Sequence, residues 1–339
     1  MTSALGSTSF RSTDWLSRGR RINQFWLLVI VVVIVFVLCS VLVQGFFSMS
    51  NLQNALVGQI PLAILGLAIA ITIIGGAVDF SVLVVAVCSA QVVMSLAANE
   101  VPLAVALLGG LGFAVLIGVL NGVIVAFVDL PSLVVTIGMS LLVMGVARLT
   151  FFGEASQVLP AQAGGIRQAL GGSLLGVPAA LVVLVIVAVA LQLVLSRSVP
   201  GRFLYAKGDN AEAARLSGIA IRVITVGAFI ASAGLAFVAG LVMAAQGGAL
   251  ASSQGTSAML YDIITVAVIG GVSLAGGRGG VAGVLVGALL VALLLNALTL
   301  LDFSENQKVL VKGVVLLTAL AMDAVLHPRS LEDLKPGDL

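Results

Sequence analysis

"FLYAKGDNAEAARLSGIAIR", Phe203–Arg222, decides how this chain is read, because it gathers Lys207, Asp209, Glu212, Arg215 and Arg222 in a protein that is 60% hydrophobic and 9% charged. Directly after it, Val223 to Tyr261 holds no Asp, Glu, Lys or Arg. So oily a composition exceeds what the core of an ordinary soluble domain can hide, so lipid is the solvent for most of the chain. Working outward, further uncharged runs cover Ile22–Val78, Phe80–Asn99, Val101–Val128, Gln168–Ser196 and Gly279–Leu301. Each is long enough for at least one membrane-crossing helix of about 20 residues.

Breaking these runs at Gly, Pro and polar clusters predicts ten spans, at 25–43, 55–74, 80–98, 102–127, 131–151, 178–195, 223–245, 259–275, 281–300 and 309–326. The expected fold is therefore all-α and polytopic, one transmembrane domain over 25–326 between polar ends at 1–24 and 327–339. Phe25 to Val43 is too long for a signal peptide and lacks a small-x-small cleavage site, so it reads as a retained first span. With both ends inside the cell, Arg11, Arg18, Arg20, Arg21, Arg197, Arg202, Lys207, Arg215, Arg222, Arg278, Arg329 and Lys335 all fall on the cytoplasmic side. Only Arg167 and Lys308 fall clearly outside, with Arg148 and Lys312 near outer helix ends, and this bias is the usual signature of orientation. The longest inner connection is then 197–222 and the longest outer one 152–177.

Inside that inner connection, Asp209 is placed to cap a first turn, Glu212 to complete a capping box, and Gly218 to stop the helix in a left-handed turn. The prediction is a short helix from about Asn210 to Ser217, with Glu212 and Arg215 three apart as a candidate pair. A helix this short is marginal in water. It needs a docking surface, either the ends of the spans or another protein. Elsewhere, Gly118 with Gly122 and Gly279 with Gly283 and Gly287 have the four-residue spacing that lets helices approach closely in lipid.

"YAKGDNAEAARLSGIAIRVITVGAFIASAGLAFVAGLV", from Tyr205, resembles the segment that marks the membrane permeases of bacterial ATP-driven importers for ribose and similar sugars, within a larger sugar and branched-chain amino acid permease superfamily. In that family a Gly-x-Asn-x-x-Ala-Ala-x-x-x-Gly-Ile pattern forms the coupling helix that docks on the ATP-hydrolysing subunit. Gly208, Asn210, Ala213, Ala214, Gly218 and Ile219 match it, with Asp209, Glu212 and Arg215 interleaved. "YDIITVAVIGGVSLAGGRGG" is similar to the family's late segment through Asp262, Gly270, Gly271, Ser273, Leu274, Gly276 and Gly277. Asn121, Gly122, Pro131, Thr136 and Gly138 carry a third likeness, to the Leu-Asn-Gly span and the Pro-x-x-x-x-Thr-x-Gly entry that follows it. Two departures stand out: Leu83 replaces the glycine of the family's Gly-Ile-Asp-Leu-Ser-Val-Gly, and Leu260 replaces a common acidic residue. They permit one half of a heterodimeric pore as well as a homodimer.

The resemblance implies a permease subunit with no chemistry of its own: ATP and Mg belong to ATP-binding-cassette partner subunits, and a periplasmic binding protein delivers cargo to the outer connection. Asp79 and Ser81 either belong to an irregular segment that lines or closes the pathway, or form a polar cap at a helix boundary. Asp262 is a structural cap or ion-pair member, with Arg148 as the candidate partner, or else a gate residue. Asn121, Pro131, Thr136, Gly271, Gly276 and Gly277 complete the expected pathway or gate set. "GGRGG" at Gly276–Gly280 lacks the Lys of a phosphate-binding loop, and the single His327 cannot supply a metal cluster or a base–nucleophile pair. A branched-chain amino acid permease and a gradient-driven secondary transporter remain the alternatives.

Overall fold

In the computed structural model, which describes residues 24–149, 156–256 and 258–326, prolines and small polar caps set where helices begin. The helices are α1 (Gln24–Leu42), α2 (Met49–Gly58), α3 (Ile60–Ile74), α4 (Val82–Ala98), α5 (Leu103–Phe127), α6 (Ser132–Ala147), α7 (Gly164–Gly171), α8 (Ala179–Arg197), α9 (Val199–Asp209), α10 (Ala211–Leu216), α11 (Ile221–Gly247), α12 (Met259–Ile269), α13 (Val281–Leu300) and α14 (Glu305–Leu326). Pro102, Pro131 and Pro178 stand immediately before α5, α6 and α8, where a missing N–H costs nothing and the fixed φ starts a new direction. Ser48 and Ser198 cap α2 and α9, accepting bonds from Asn51 N and Gly201 N.

Each predicted span finds a helix. Among the described residues, six stretches are long and apolar enough to cross a membrane: Phe25–Leu42, Met49–Ile74, Leu103–Phe127, Ala179–Arg197, Ile221–Gly247 and Val281–Leu300. The second runs through α2 and α3, which meet at Gln59 just before Pro61. α4 and α6 are apolar but shorter. The chain is a multi-pass membrane protein.

Every residue of α3 is buried, as are most of α4, so an apolar helix pair forms the centre and the rest wrap it. Trp26, Ile30, Val33, Leu108, Leu141, Ile186 and Leu193 point outward instead, as suits helices bathed in lipid. The glycine spacings mark real approaches: a Cβ on Gly118 would stand 2.8 Å from Phe229 O, and one on Gly122 2.7 Å from Val226 Cα. Gly287 likewise leaves room for Val266 O of α12. Backbone-to-backbone packing of this kind replaces the hydrophobic effect between helices in lipid.

Four expectations need correcting. Short antiparallel strands interrupt the all-α reading: Ser156–Val158 pairs with Ala249–Ala251, in register Gln157 to Leu250, and Ser173–Leu174 with Val177–Pro178. From Ser156 onward, the connection expected outside is a cap of strand, 3-10 turn (Ala161–Ala163) and α7. The late span predicted at 259–275 stops at Ile269, because Gly270 and Gly271 (φ +81°) turn the chain back into a glycine-rich loop before α13. Finally, the inner connection 197–222 holds two helices, α9 and α10, and Asn210 rather than Asp209 caps the second. Asn210 has the extended φ −151° and ψ 102° that a cap requires, whereas Asp209 ends α9. The polar ends and His327 lie outside the described residues.

Candidate functional site

Between α3 and α4 the chain abandons helix over 75–81, and the bundle closes around that break. Asp79 and Ser81 are buried there, as are Asn121 of α5, Thr136 of α6 and Ser232 of α11. Asp79 Oδ1 accepts from Ser81 N at 2.9 Å and Ser81 Oγ at 2.5 Å, and its Oδ2 accepts from Ser232 Oγ at 2.9 Å. Asn121 Nδ2 donates to Ser81 Oγ at 2.8 Å. A carboxylate at the start of α4 also meets the positive end of that helix. Hydroxyls and dipoles thus hold Asp79, and among the described residues no basic side chain pairs with it.

The backbone of the break is fastened to α6. Val78 N donates to Ser132 Oγ and Phe80 N to Thr136 Oγ1, each at 3.0 Å, while Ser140 Oγ donates to Phe80 O at 3.3 Å. Pro131 starts that helix and so sets the register of all three hydroxyls. Asn121 Oδ1 is buried with no partner, the one open acceptor in this network.

At the near end of the break, α9 and two turns touch backbone to backbone. Gly277 N donates to Ile74 O at 2.9 Å, and Lys207 Nζ donates to Gly75 O. A Cβ on Gly208 would collide with Ile74 O and Gly277 N, one on Gly276 would lie 2.7 Å from Gly208 O, and one on Gly277 2.7 Å from Asp209 Cα. Gly276 (φ +92°) and Gly277 (φ +71°) also need their left-handed turns. Tyr205 Oη closes the group with a 2.8 Å bond to Gly279 O. Burial pushes the Lys207 ammonium down to about 8 and the Tyr205 phenol upward. Gly271 stands apart, with Phe25 and Leu28 of α1 lining the same cleft.

α10 leaves this junction as a capped stub: Asn210 Oδ1 accepts from Ala213 N at 2.9 Å, and Gly218 (φ +81°) stops it. Ala214 is buried beneath, with Ile219 N bonded to Ala214 O at 3.1 Å. Glu212 and Arg215 form the expected pair at 2.7 Å, fully in solvent, and the Arg215 guanidinium holds the Glu212 carboxyl below its ordinary range. Leu216 is 79% exposed.

Asp262 belongs to neither group. It pairs with Lys312 of α14 at 2.7 Å, both largely buried, rather than with Arg148, because α14 packs along α12. It lies at the other end of α12 from Gly271. Of the expected pathway set, the structure brings together Asp79, Ser81, Asn121 and Thr136, and it places Gly276 and Gly277 against Gly208 and Asp209 of the expected coupling segment. Sequence reasoning missed Ser132, Ser140, Ser232, Tyr205 and Lys312, and Lys207, read as one of the charges of the inner connection, turns onto Gly75 O instead. Only the i, i+4 spacing of Ser132, Thr136 and Ser140 on one helix face offered a signal.

Residues 51–320 match the protein family described as "Branched-chain amino acid transport system / permease component". The chain belongs to that family. Among its relatives, the ribose import permease protein of Escherichia coli K12 is 32% identical over 319 residues, covering 92% of this chain and 98% of the relative. The fructose import permease protein of Rhizobium meliloti is 30% identical, over 87% of this chain and 83% of its own length. The autoinducer 2 import system permease protein of Escherichia coli is 31% identical, over 87% and 85%. No solved structure matches the chain. Permeases of this family are transport pores.

Proposed function

We propose that this chain is the membrane-spanning subunit of an ATP-binding-cassette importer that moves a monosaccharide or a related small polar solute. The apolar helices cross the bilayer, with both chain ends in the cytoplasm of a bacterium and the cap built on α7 facing the periplasm. A periplasmic binding protein delivers the cargo onto that cap. ATP and Mg are bound and consumed on separate ATPase subunits, and a second permease chain completes the pore. α10 is the coupling helix, presenting Asn210, Glu212, Ala213, Arg215 and Leu216 to the ATPase.

The observation that carries this reading is α10 itself. It is a helix of only six residues, capped at both ends and pointing an ion pair and an exposed leucine away from the bundle. A stub so short gains nothing from standing alone in water. Support for a sugar comes from the ribose and fructose import permeases being similar to nearly the whole chain. A gradient-driven transporter is less well supported, since Lys312 already neutralises Asp262.

The test is capture of the ATPase from membranes. Wild-type protein retains it, and Gly218→Arg or Glu212→Lys releases it by about tenfold, the scale of a lost charge-complementary contact. Equal capture by all three overturns the role of α10. Uptake in vesicles that survives without ATP and collapses with an ionophore overturns the importer reading.

A further inference from the structure

Inside the ordered break over 75–81 the bonds gather at its two edges, where Gly76 N and Ala77 N return to α3 and Asp79 binds Ser81. The backbone of the break is held from outside at both ends: by Lys207 and Gly208 of α9 and Gly277 at the start, and by Ser132, Thr136 and Ser140 of α6 further on. Between α9 and α10 there is no loop, since Asn210 is at once the last cap of one helix and the first of the next. Gly208, two residues before Asn210, meets Ile74 and Gly277 with no side chain between them. Close-packed backbone of this kind transmits displacement because it cannot be compressed. A side-chain contact would absorb part of the same motion by changing rotamer.

We propose that Gly208 and Lys207 are the positioning residues through which motion imposed on α10 enters the membrane bundle, and that the break at 75–81 is the element they move. The proposal rests on α10 being the ATPase contact and names what lies downstream of it. Gly208 acts as a rigid contact and Lys207 as a tether on Gly75 O. Displacing Gly75 and Gly76 strains the backbone that leads directly to Asp79, whose carboxylate ties the break to Ser232 of α11. α11 begins just after α10 stops, so both sides of the Asp79 network connect to the same stub. A second contact sits near that start: Arg222 lies over the Phe127 ring at 5.3 Å and 3.9 Å from Asp129, at the turn that leads into α6. The break is thereby gripped from α9, α11 and α6; α9 and α11 flank α10 in the chain, and the turn into α6 is tied to the start of α11 through Asp129 and Arg222.

The test uses the full transporter, purified with its co-purifying ATPase, in a Cys39→Ser background carrying Val78→Cys as a reporter within the break. N-ethylmaleimide labelling of that cysteine is followed with and without ATP and magnesium. The expected result is a nucleotide-dependent change in labelling rate of about fivefold or more, lost in Lys207→Met and in Gly208→Ala and restored in Lys207→Arg. ATPase capture and ATP hydrolysis persist in Lys207→Met, and Tyr205→Phe, which loses only the bond to Gly279, keeps most of the change. A nucleotide response that survives intact in both Lys207→Met and Gly208→Ala overturns the relay while leaving the ATPase contact standing. If Gly208→Ala does not fold, the Lys207→Met and Lys207→Arg pair decides alone. Failure of wild-type protein to hold the ATPase overturns the underlying reading of α10, and the relay with it.

Discussion

The two ends of the bundle are fastened by opposite means. At the end bearing α9 and α10, glycines let α9 and two turns meet backbone to backbone, with Lys207 and Tyr205 adding side-chain bonds across that junction. At the other end, separable latches do the work: the Asp262–Lys312 pair, Gln246 Nε2 on Val57 O, Gln91 Nε2 on Leu250 O, and a three-residue strand pair. Bonds of the second kind open one at a time, whereas a close-packed backbone junction moves as a unit or not at all. On the proposed reading of α10, one end is pushed and the other released.

Mutations at both ends sharpen that contrast. The largest effect on stability is expected from Lys312→Met, which strands a buried carboxylate and costs about 3–5 kcal/mol in denaturant unfolding. Lys312→Met combined with Asp262→Leu recovers most of the loss, as a latch made of one ion pair requires. At the opposite end, Gly208→Ala overpacks the junction and costs about 1–3 kcal/mol, and no single neighbouring truncation relieves it because the colliding atoms are backbone. Ser232→Ala, which removes one donor from the Asp79 carboxylate, lowers stability by about 1.5–3 kcal/mol. Tyr205→Phe costs about 1 kcal/mol through its single bond to Gly279 O. Smallest for the fold is Arg215→Ala: its pair is fully solvated, so the melting temperature holds while ATPase capture falls.

Legibility in the sequence followed the range of the interaction. α10 could be read because its start, its stop and its Glu212–Arg215 pair are all encoded within nine residues, 210–218. Even there the cap was displaced by one position, since whether Asp209 or Asn210 turns extended depends on where α9 ends, and α9 was invisible in a segment so polar. Asp262 could be seen as an ion-pair member, but its partner lies 50 residues away and is chosen by how α14 packs on α12. Ser232 gave little signal: the other hydroxyl of its span, Thr225, is spent on its own helix at Ile221 O, so the two mark no shared site. The contact of Gly208 with Gly276 and Gly277 was legible only as two separate motifs. Nothing in either states that they touch.

The burial of α3 on every side has a consequence for how the protein responds to its bilayer. A helix that meets no acyl chain cannot feel the thickness of the hydrocarbon layer, so mismatch is taken up by tilt of the outer helices, foremost α1 with its exposed Trp26 and Val41. The axis that ends at Gly75 and Gly76 is thus insulated from membrane composition. Its inputs are the neighbouring helices alone.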